Sequence, residues 1–300
     1  MRSSHYSSKQ MSTKAWALIF CAPNIILFII FFLIPAIMGV SYSFTDYNGL
    51  NRMHFIGLDN YRRLFQDVEY YLVLLNTMKF TLINVPIGYF VALFLALLLC
   101  DDSFRGSSVT RVLVYWPTLL SSIMVGITWK WLFSETYGAA NFLLLQIGLP
   151  AVKWFTNPRS AFVTVIVASA WSGCGTNMLI FIGGLKQIPN ELYEAARIDG
   201  ASTFQQFRNI TMPSLKPVSF MVILLLIVNS FKVFAMPLTL TNGGPGTATT
   251  FMIQYIYETG FDRMNVGFSS AVSMTMFVLL MIVSWMQTWH NAKSEKGYSV

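Results

Sequence analysis

Glu194-Ala195-Ala196-Arg197-Ile198-Asp199-Gly200 and, after nine further residues, Ile210-Thr211-Met212-Pro213 decide how this chain is read. The stretch is a short charged helix with a glycine stop, set between two long apolar segments. Pro189 cannot continue a preceding helix, and Asn190 is expected to cap the next one. Glu191 and Glu194 fall in or near the first turn, where the helix dipole favours anions by ~0.3–1 kcal/mol. Ala195 and Ala196 supply helix propensity without bulk. Gly200 stands where a left-handed residue ends a helix. Ser202 and Gln205, three apart, predict the capping box of a second short helix that ends at Pro213. A loop so structured reads as a docking element. The competing reading, an amphipathic helix lying on a membrane surface, needs a Lys/Arg-rich polar face that this segment lacks.

Outward from the loop, the chain is 55% hydrophobic and 11% charged, where a soluble domain carries about 25% charged residues. A hydrocarbon core of ~30 Å asks for ~20 apolar residues per helical span. Six runs qualify: residues 17–40, 77–100, 112–133, 161–183, 215–238 and 267–289. Only helices and closed barrels satisfy the backbone within lipid, and runs this long without alternation are helices. The reading is an all-α membrane protein with six transmembrane helices over residues 17–289, flanked by tails 1–16 and 290–300. The docking loop, 184–214, lies between the fourth and fifth spans.

With both termini inside, residues 1–16, 101–111, 184–214 and 290–300 hold ten Lys/Arg, and the longer outer loops hold six. That bias has the sign of the positive-inside rule. The net charge of +7 is spread over loops instead of striped along one face, so it gives no nucleic-acid reading. The first apolar run is too long for a signal h-region, and no small-x-small site follows it. Cys21, Cys100 and Cys174 are scattered and suit neither a disulfide framework nor a metal site.

Asn157-Pro158 is expected to open the fourth span as cap and first-turn proline. Leu240-Thr241-Asn242-Gly243-Gly244-Pro245-Gly246 predicts a tight outer turn. No Asp, Glu or His falls within the six spans, which argues against an ion-coupled secondary transporter. His5, His54 and His290 are isolated, and there is no Gly-x4-Gly-Lys-Ser/Thr phosphate loop. The chain is therefore read as neither an enzyme nor an ATPase.

The pattern Glu-Ala-Ala, three residues, Gly, nine residues, Ile-x-x-Pro resembles the cytoplasmic signature of ABC importer permeases, whose usual ending is Ile-x-Leu-Pro. Met212 in the Leu position is a volume-conserving departure. Further blocks agree: Phe55-Ile56-Gly57-Leu58-Asp59-Asn60-Tyr61, Trp129-Lys130-Trp131-Leu132-Phe133, Leu185-Lys186-Gln187-Ile188-Pro189 and residues 240–245. Together they resemble the carbohydrate-uptake branch, with its maltose-permease-like (MalF-like) and glycerol-phosphate-permease-like subunits, in a minimal form without extra N-terminal helices or a large outer domain. The resemblance implies the type I (MetI-like) importer permease fold in a bacterial or archaeal cytoplasmic membrane. It implies ATPase coupling through Glu194, Ala195, Ala196, Arg197, Asp199, Gly200, Ile210 and Pro213. It also implies a second, related permease as heterodimer partner, two ABC ATPase subunits that carry ATP and Mg, and an extracytoplasmic sugar-binding protein. No cofactor is expected on this chain and no nucleic-acid partner. The implied cargo is a carbohydrate, an oligosaccharide first, with glycerol phosphate or another polyol as the alternative.

Polar groups within spans normally face a cavity or one another. Thr118 and Ser122 follow Pro117 in the third run. Gly173, Thr176 and Asn177 sit midway along the fourth. Ser230 and Lys232 lie in the fifth, with Lys232 six residues before its end and so ~9 Å inside it if the helix is continuous. The resemblance places the substrate path at these helix regions. Each Ser or Thr has the competing option of bonding its own i−4 carbonyl, and Lys232 that of snorkelling to the headgroups. Trp116, Trp171, Phe231 and Phe234 are candidate stacking platforms for a sugar ring.

Overall fold

The computed structural model describes residues 13–50, 52–100 and 106–296. Most of the two expected tails and residues 101–105 lie outside the described residues, as does His5. In chain order the described residues form α1 (residues 13–42), α2 (Asp59–Leu64), α3 (Val68–Leu99), α4 (Ser107–Leu119) and α5 (Ser122–Leu132). Then come α6 (Ala139–Gln146), α7 (Pro158–Leu185), α8 (Asn190–Ile198) and α9 (Thr203–Ser214). The last are α10 (Lys216–Phe231), α11 (Ala235–Thr241), α12 (Met252–Tyr257) and α13 (Val266–Lys296). The β-structure among these residues is one bridge, Thr45 to Phe55.

Four helices are long and apolar enough to cross a bilayer, and two bent pairs bring the number to as many as six. The first bend corrects the expectation of an unbroken third span; the second, of 66°, lies at Leu215, where α9 meets α10 at the start of the expected fifth span. Between α4 and α5 the axis turns by 100°. Pro117 sits in a tight turn, Trp116–Leu119, that closes α4, and Leu120 and Ser121 are extended. The Ser121 hydroxyl then caps α5 by accepting from the Met124 N–H. The helical run 215–238 is also interrupted. α10 stops at Phe231, Lys232 to Phe234 leave the helix, and α11 resumes. The 16 residues of α10 span about 24 Å, short of the ~30 Å core. Hydropathy alone is blind to both breaks, because the residues at them remain largely apolar.

α3 begins earlier than expected, at Val68 instead of residue 77, because the Asp67 carboxylate accepts from the Glu69 N–H at 2.8 Å and caps it. Asn157 and Pro158 open α7 as expected, with Asn157 Oδ1 accepting from Arg159 N–H at 2.9 Å.

The described chain falls into two units. The first holds residues up to Leu64 with Thr259–Met274. Within it, no residue of α1 from Phe20 to Tyr42 is buried by the chain. The block 55–61 is a clamp there, since Asn60 Nδ2 donates to the carbonyls of Ser43 and Thr45 at 2.9 and 2.8 Å, and Tyr61 donates to Ser43 Oγ at 2.8 Å. Gly267 N–H donates to the Tyr47 carbonyl, and the Arg63 guanidinium lies 4.7 Å above the Phe268 ring.

The second unit, Phe65–Glu258 with residues from Thr275 onward, is built on α3 packed along α7 and α10. One buried cluster joins Tyr89, Leu93 and Leu99 of α3 to Phe181 and Ile182 of α7 and to Leu215, Val222 and Leu226. A second, toward the other end of α3, joins Phe80 to Val125, Val165, Met236, Leu240 and Phe251. Lipid tails are as apolar as leucine, so helices in a bilayer associate through close packing, with small residues at the contact. Gly175 provides one such contact: a Cβ there would meet the Tyr115 Cα at 2.7 Å and the Val114 carbonyl at 2.8 Å.

Candidate functional site

The interruption of the fifth span opens a cavity of about 630 Å³ within the second unit. Its wall comes from Phe80 and Asn84 of α3, Thr118 at the end of α4, Ser122 at the start of α5, Ser169 to Asn177 of α7, and Asn229 to Met236 across the break. All seven positions singled out for a substrate path, Thr118, Ser122, Gly173, Thr176, Asn177, Ser230 and Lys232, line this one space. The breaks explain the convergence. A helix end exposes side chains that an unbroken helix would turn toward its neighbours, and both breaks meet here.

The polar groups divide by what they already hold. Asn177 Nδ2 donates to the Gly173 carbonyl at 3.1 Å, and Thr118 Oγ1 donates to the Tyr115 carbonyl. Both therefore take the local option open to polar side chains in a helix. Ser230 Oγ is buried and accepts from Asn84 Nδ2 at 3.1 Å. Ser122, Thr176, Asn229 and Lys232 are exposed along the wall. Lys232 is not inside a continuous helix as expected; it is the C-cap that follows the last residue of α10, at φ −90° and ψ 3°. Among the described residues it is the one ionisable group on this wall.

Asn84 is a site residue the sequence reading missed. Its Oδ1 is buried without a hydrogen-bond partner, as is the Ser169 Oγ on the same wall. A buried acceptor or hydroxyl left unmatched costs ~1–3 kcal/mol, so these groups are suited to meet a hydroxyl brought in by a cargo or by water. The signal was available, because an asparagine inside an apolar run obeys the rule that flagged Asn177. Of the four aromatic platforms proposed, Phe234 alone joins Phe80 on the wall. Phe231 is buried in packing, and Trp171 faces an apolar notch elsewhere.

At the other end of α7, residues 186–214 form the structured loop. α8 runs Asn190–Ile198 with Pro189 as its cap, so Asn190 is its first residue and does not cap it. Its end is a complete Schellman motif: Ala201 N–H donates to the Ala196 carbonyl at 2.8 Å and Gly200 N–H to the Arg197 carbonyl at 3.1 Å. Gly200 has φ +77°, as the glycine stop requires. The capping box of Ser202 and Gln205 is present in both directions. Tyr193 and Thr211 hydroxyls lie 2.9 Å apart and pin α8 to α9, and Tyr193, Ile210 and Met212 pack onto the cluster at this end of the bundle.

The outward side of the loop carries Glu194, Ala195, Arg197, Asp199, Gly200 and Pro213, all exposed, with Ala196 half-buried. Two large apolar side chains project with them, Ile198 at 87% and Phe204 at 68% exposure. Exposed apolar side chains among charged ones are the kind of surface that marks an interaction site.

On the opposite side of the bundle, the segment between α5 and α7 is tied by two side chains. Asn141 Oδ1 accepts from Val152 N–H and Trp154 Nε1, and Glu135 Oε1 accepts from the N–H groups of Phe155 and Thr156 at 2.8 and 2.9 Å. Partial burial pushes the Glu135 carboxyl up, but these donors, the Thr156 hydroxyl and nearby Lys153 together outweigh it and hold the group below its ordinary range.

Compared with known proteins, residues 84–296 match the family described as "Binding-protein-dependent transport system inner membrane component". A probable starch degradation products transport system permease protein, AmyD, of Thermoanaerobacterium thermosulfurigenes is 33% identical over 288 residues, covering 96% of this chain and 98% of that one. The arabinooligosaccharides transport system permease protein AraP of Bacillus subtilis is 32% identical over 91% of this chain and 87% of its own length. The trehalose/maltose transport system permease protein MalF of Thermococcus litoralis is 33% identical over 86% and 88%. In fold, the chain is similar to a subunit in the crystal structure of a bacterial ABC transporter for the acidic polysaccharide alginate, with a TM-score of 0.83 over 93% of this chain and 96% of that one at 24% identity.

Proposed function

The chain belongs to the family of binding-protein-dependent transport system inner membrane components, and from that premise we propose that it is the permease subunit of an ATP-driven carbohydrate importer, with an oligosaccharide as cargo. The cavity carries this reading. Its wall offers hydroxyls, carboxamides and two phenylalanine rings, the chemistry that a sugar's hydroxyls and apolar ring faces require. The permease relatives described for starch degradation products, arabinooligosaccharides and trehalose/maltose point to the same class.

The coupling follows from connectivity. α7 carries Gly173, Thr176 and Asn177 on the cavity and ends at Leu185, about 12 Å beyond Asn177, where the loop begins. The loop returns into α10, whose far end holds Asn229 and Ser230. A force on α8 therefore acts on two helices that form the cavity wall, and the Tyr193–Thr211 contact makes α8 and α9 move together. In this mechanism two partner ATPases hold ATP and Mg, grip Glu194 to Gly200 together with Ile210 and Pro213, and close on each other. The closure swings α7 and α10 so that the cavity opens to the outer face, where a sugar-binding protein delivers cargo. Hydrolysis and release of the nucleotide restore the inward opening. A second, related permease supplies the other half of the path, with residues 184–214 and both termini cytoplasmic.

Lys232 favours one further reading. A lone cation on an otherwise neutral wall suits a phosphorylated polyol such as glycerol phosphate. The test for both is the chain co-expressed with its permease, ATPase and binding-protein partners and reconstituted in nanodiscs, with ATPase stimulation measured against neutral oligosaccharides and glycerol phosphate. Stimulation by one class identifies the cargo. Uptake driven by a proton or sodium gradient with no ATPase present would refute the reading.

A further inference from the structure

α3 and α7 pack side by side, and two notches lie along their outward seam, the inner one walled also by Leu113, Val114 and Pro117 of α4. On α3 the lining residues are Lys79, Ile83, Ile87, Val91 and Leu95, each four after the last. Each step of four turns the direction by only ~40°, so Lys79, Ile83 and Ile87 share one face and the row winds slowly around the helix beyond them. On α7 they include Arg159, Val163, Val167, Ala170 and Cys174, again at steps of three or four. From Lys79 to Leu95 the seam runs about 24 Å. It is apolar throughout except at the end away from the 186–214 loop, where Lys79 and Arg159 border the same notch of about 400 Å³. Both residues are exposed, and among the described residues neither side chain has a carboxylate within ion-pair distance.

Charge selects the occupant. A packed transmembrane helix would fill the apolar length but leave two cations near the membrane interface unmatched. A phospholipid with an anionic headgroup matches both parts, since its phosphate meets the cations and an acyl chain follows the seam inward. The hydrocarbon region of one leaflet is ~15 Å deep, which the stretch from Ile83 to Val91, about 12 Å, largely accounts for. We propose that this seam seats one anionic phospholipid, its headgroup between Lys79 and Arg159 and an acyl chain along Ile83, Val163 and Ile87. Only the leaflet rests on the importer reading: with residues 184–214 cytoplasmic, it is the outer one.

The test is native mass spectrometry of the purified, delipidated full chain, titrated with phosphatidylglycerol and with phosphatidylcholine of the same acyl chains. Two basic residues at a headgroup predict retention of phosphatidylglycerol roughly ten- to thirtyfold better than of phosphatidylcholine. The double variant Lys79→Gln/Arg159→Gln removes the preference. Lys79→Arg keeps it and serves as the folding control. Ala170→Phe, which fills the seam, weakens both lipids. Equal retention of the two lipids, or a preference that survives the double charge variant, overturns the proposal. So does loss of a co-expressed second permease in Ala170→Phe with lipid retention unchanged, which would make the seam a protein interface. The readout needs neither ATPase nor transport, so this result and the importer reading stand or fall separately.

Discussion

Replacing Gly200 with valine isolates the docking loop from the rest of the fold. Gly200 has φ +77°, and no atom lies within 4 Å of where its Cβ would be. The substitution meets no steric neighbour, so its cost is conformational. Left-handed geometry costs an ordinary residue ~1–2 kcal/mol, and a β-branched residue there is a genuine outlier. The alternative is to unwind the last turn of α8, losing the two closing hydrogen bonds from Ala201 and Gly200, each worth a net ~0.5–1.5 kcal/mol. By either route the native cap is disfavoured by about 2 kcal/mol, a shift of roughly thirtyfold in the equilibrium constant for forming it. The buried clusters of the bundle are untouched.

Gly200→Val is therefore expected to insert and purify normally, with an unchanged thermal unfolding midpoint. In proteoliposomes with its partners it should lose most of its ATP-driven uptake, through weaker ATPase assembly or ATP turnover without transport. Gly200→Asn is the control, because asparagine tolerates the left-handed region, and it should retain most uptake. The order Asn above Ala above Val follows from backbone strain alone. Wild-type uptake by Gly200→Val would refute the role given to α8. Equal loss in Val and Asn would show that strain is not the cause.

Three further outcomes are expected. Lys232→Met keeps the methylene bulk and removes the ammonium, so assembly should survive while substrate-stimulated ATPase falls; a silent variant would place the side chain at the headgroups, outside the cargo's reach. Gly175→Ala drives a methyl against the Tyr115 Cα and Val114 carbonyl, backbone atoms that cannot rotate away, and should destabilise the chain by about 1–3 kcal/mol, read as a lower midpoint in detergent. Glu135 has its carboxyl below the ordinary value of 4.5. The unfolded segment therefore binds the proton more readily, and the stabilisation, fully present above that value, fades as pH falls through the lowered one. Limited proteolysis of residues 134–157 should accelerate with acid in the wild type, and Glu135→Gln should flatten that dependence.

What was legible in the sequence was whatever local chemistry fixes. The cap at Asn157, the glycine at 200 and the box of Ser202 and Gln205 each depend on a few neighbouring residues, and all three stand in the structure. The membrane-spanning runs were legible too, because a hydrocarbon core demands length and apolarity. The breaks were harder, since Pro117 and Lys232 interrupt helices without interrupting hydropathy. Hydropathy reports the solvent around a segment and says little of its axis. Unbroken spans would put Lys232 on a helix side, whereas the breaks bring Ser122, Lys232 and Phe234 into one space with Asn84 of the continuous α3. The seven path residues line one cavity: the resemblance points to their helix regions, and one physical rule picks the polar groups within them, that a polar group inside lipid must face something other than lipid. The same rule, applied to every span without regard to a family's preferred helices, selects Asn84 as well. Lys79 passes it too, and because that residue lies on the outward seam and not in the cavity, the partner it calls for is an anionic headgroup.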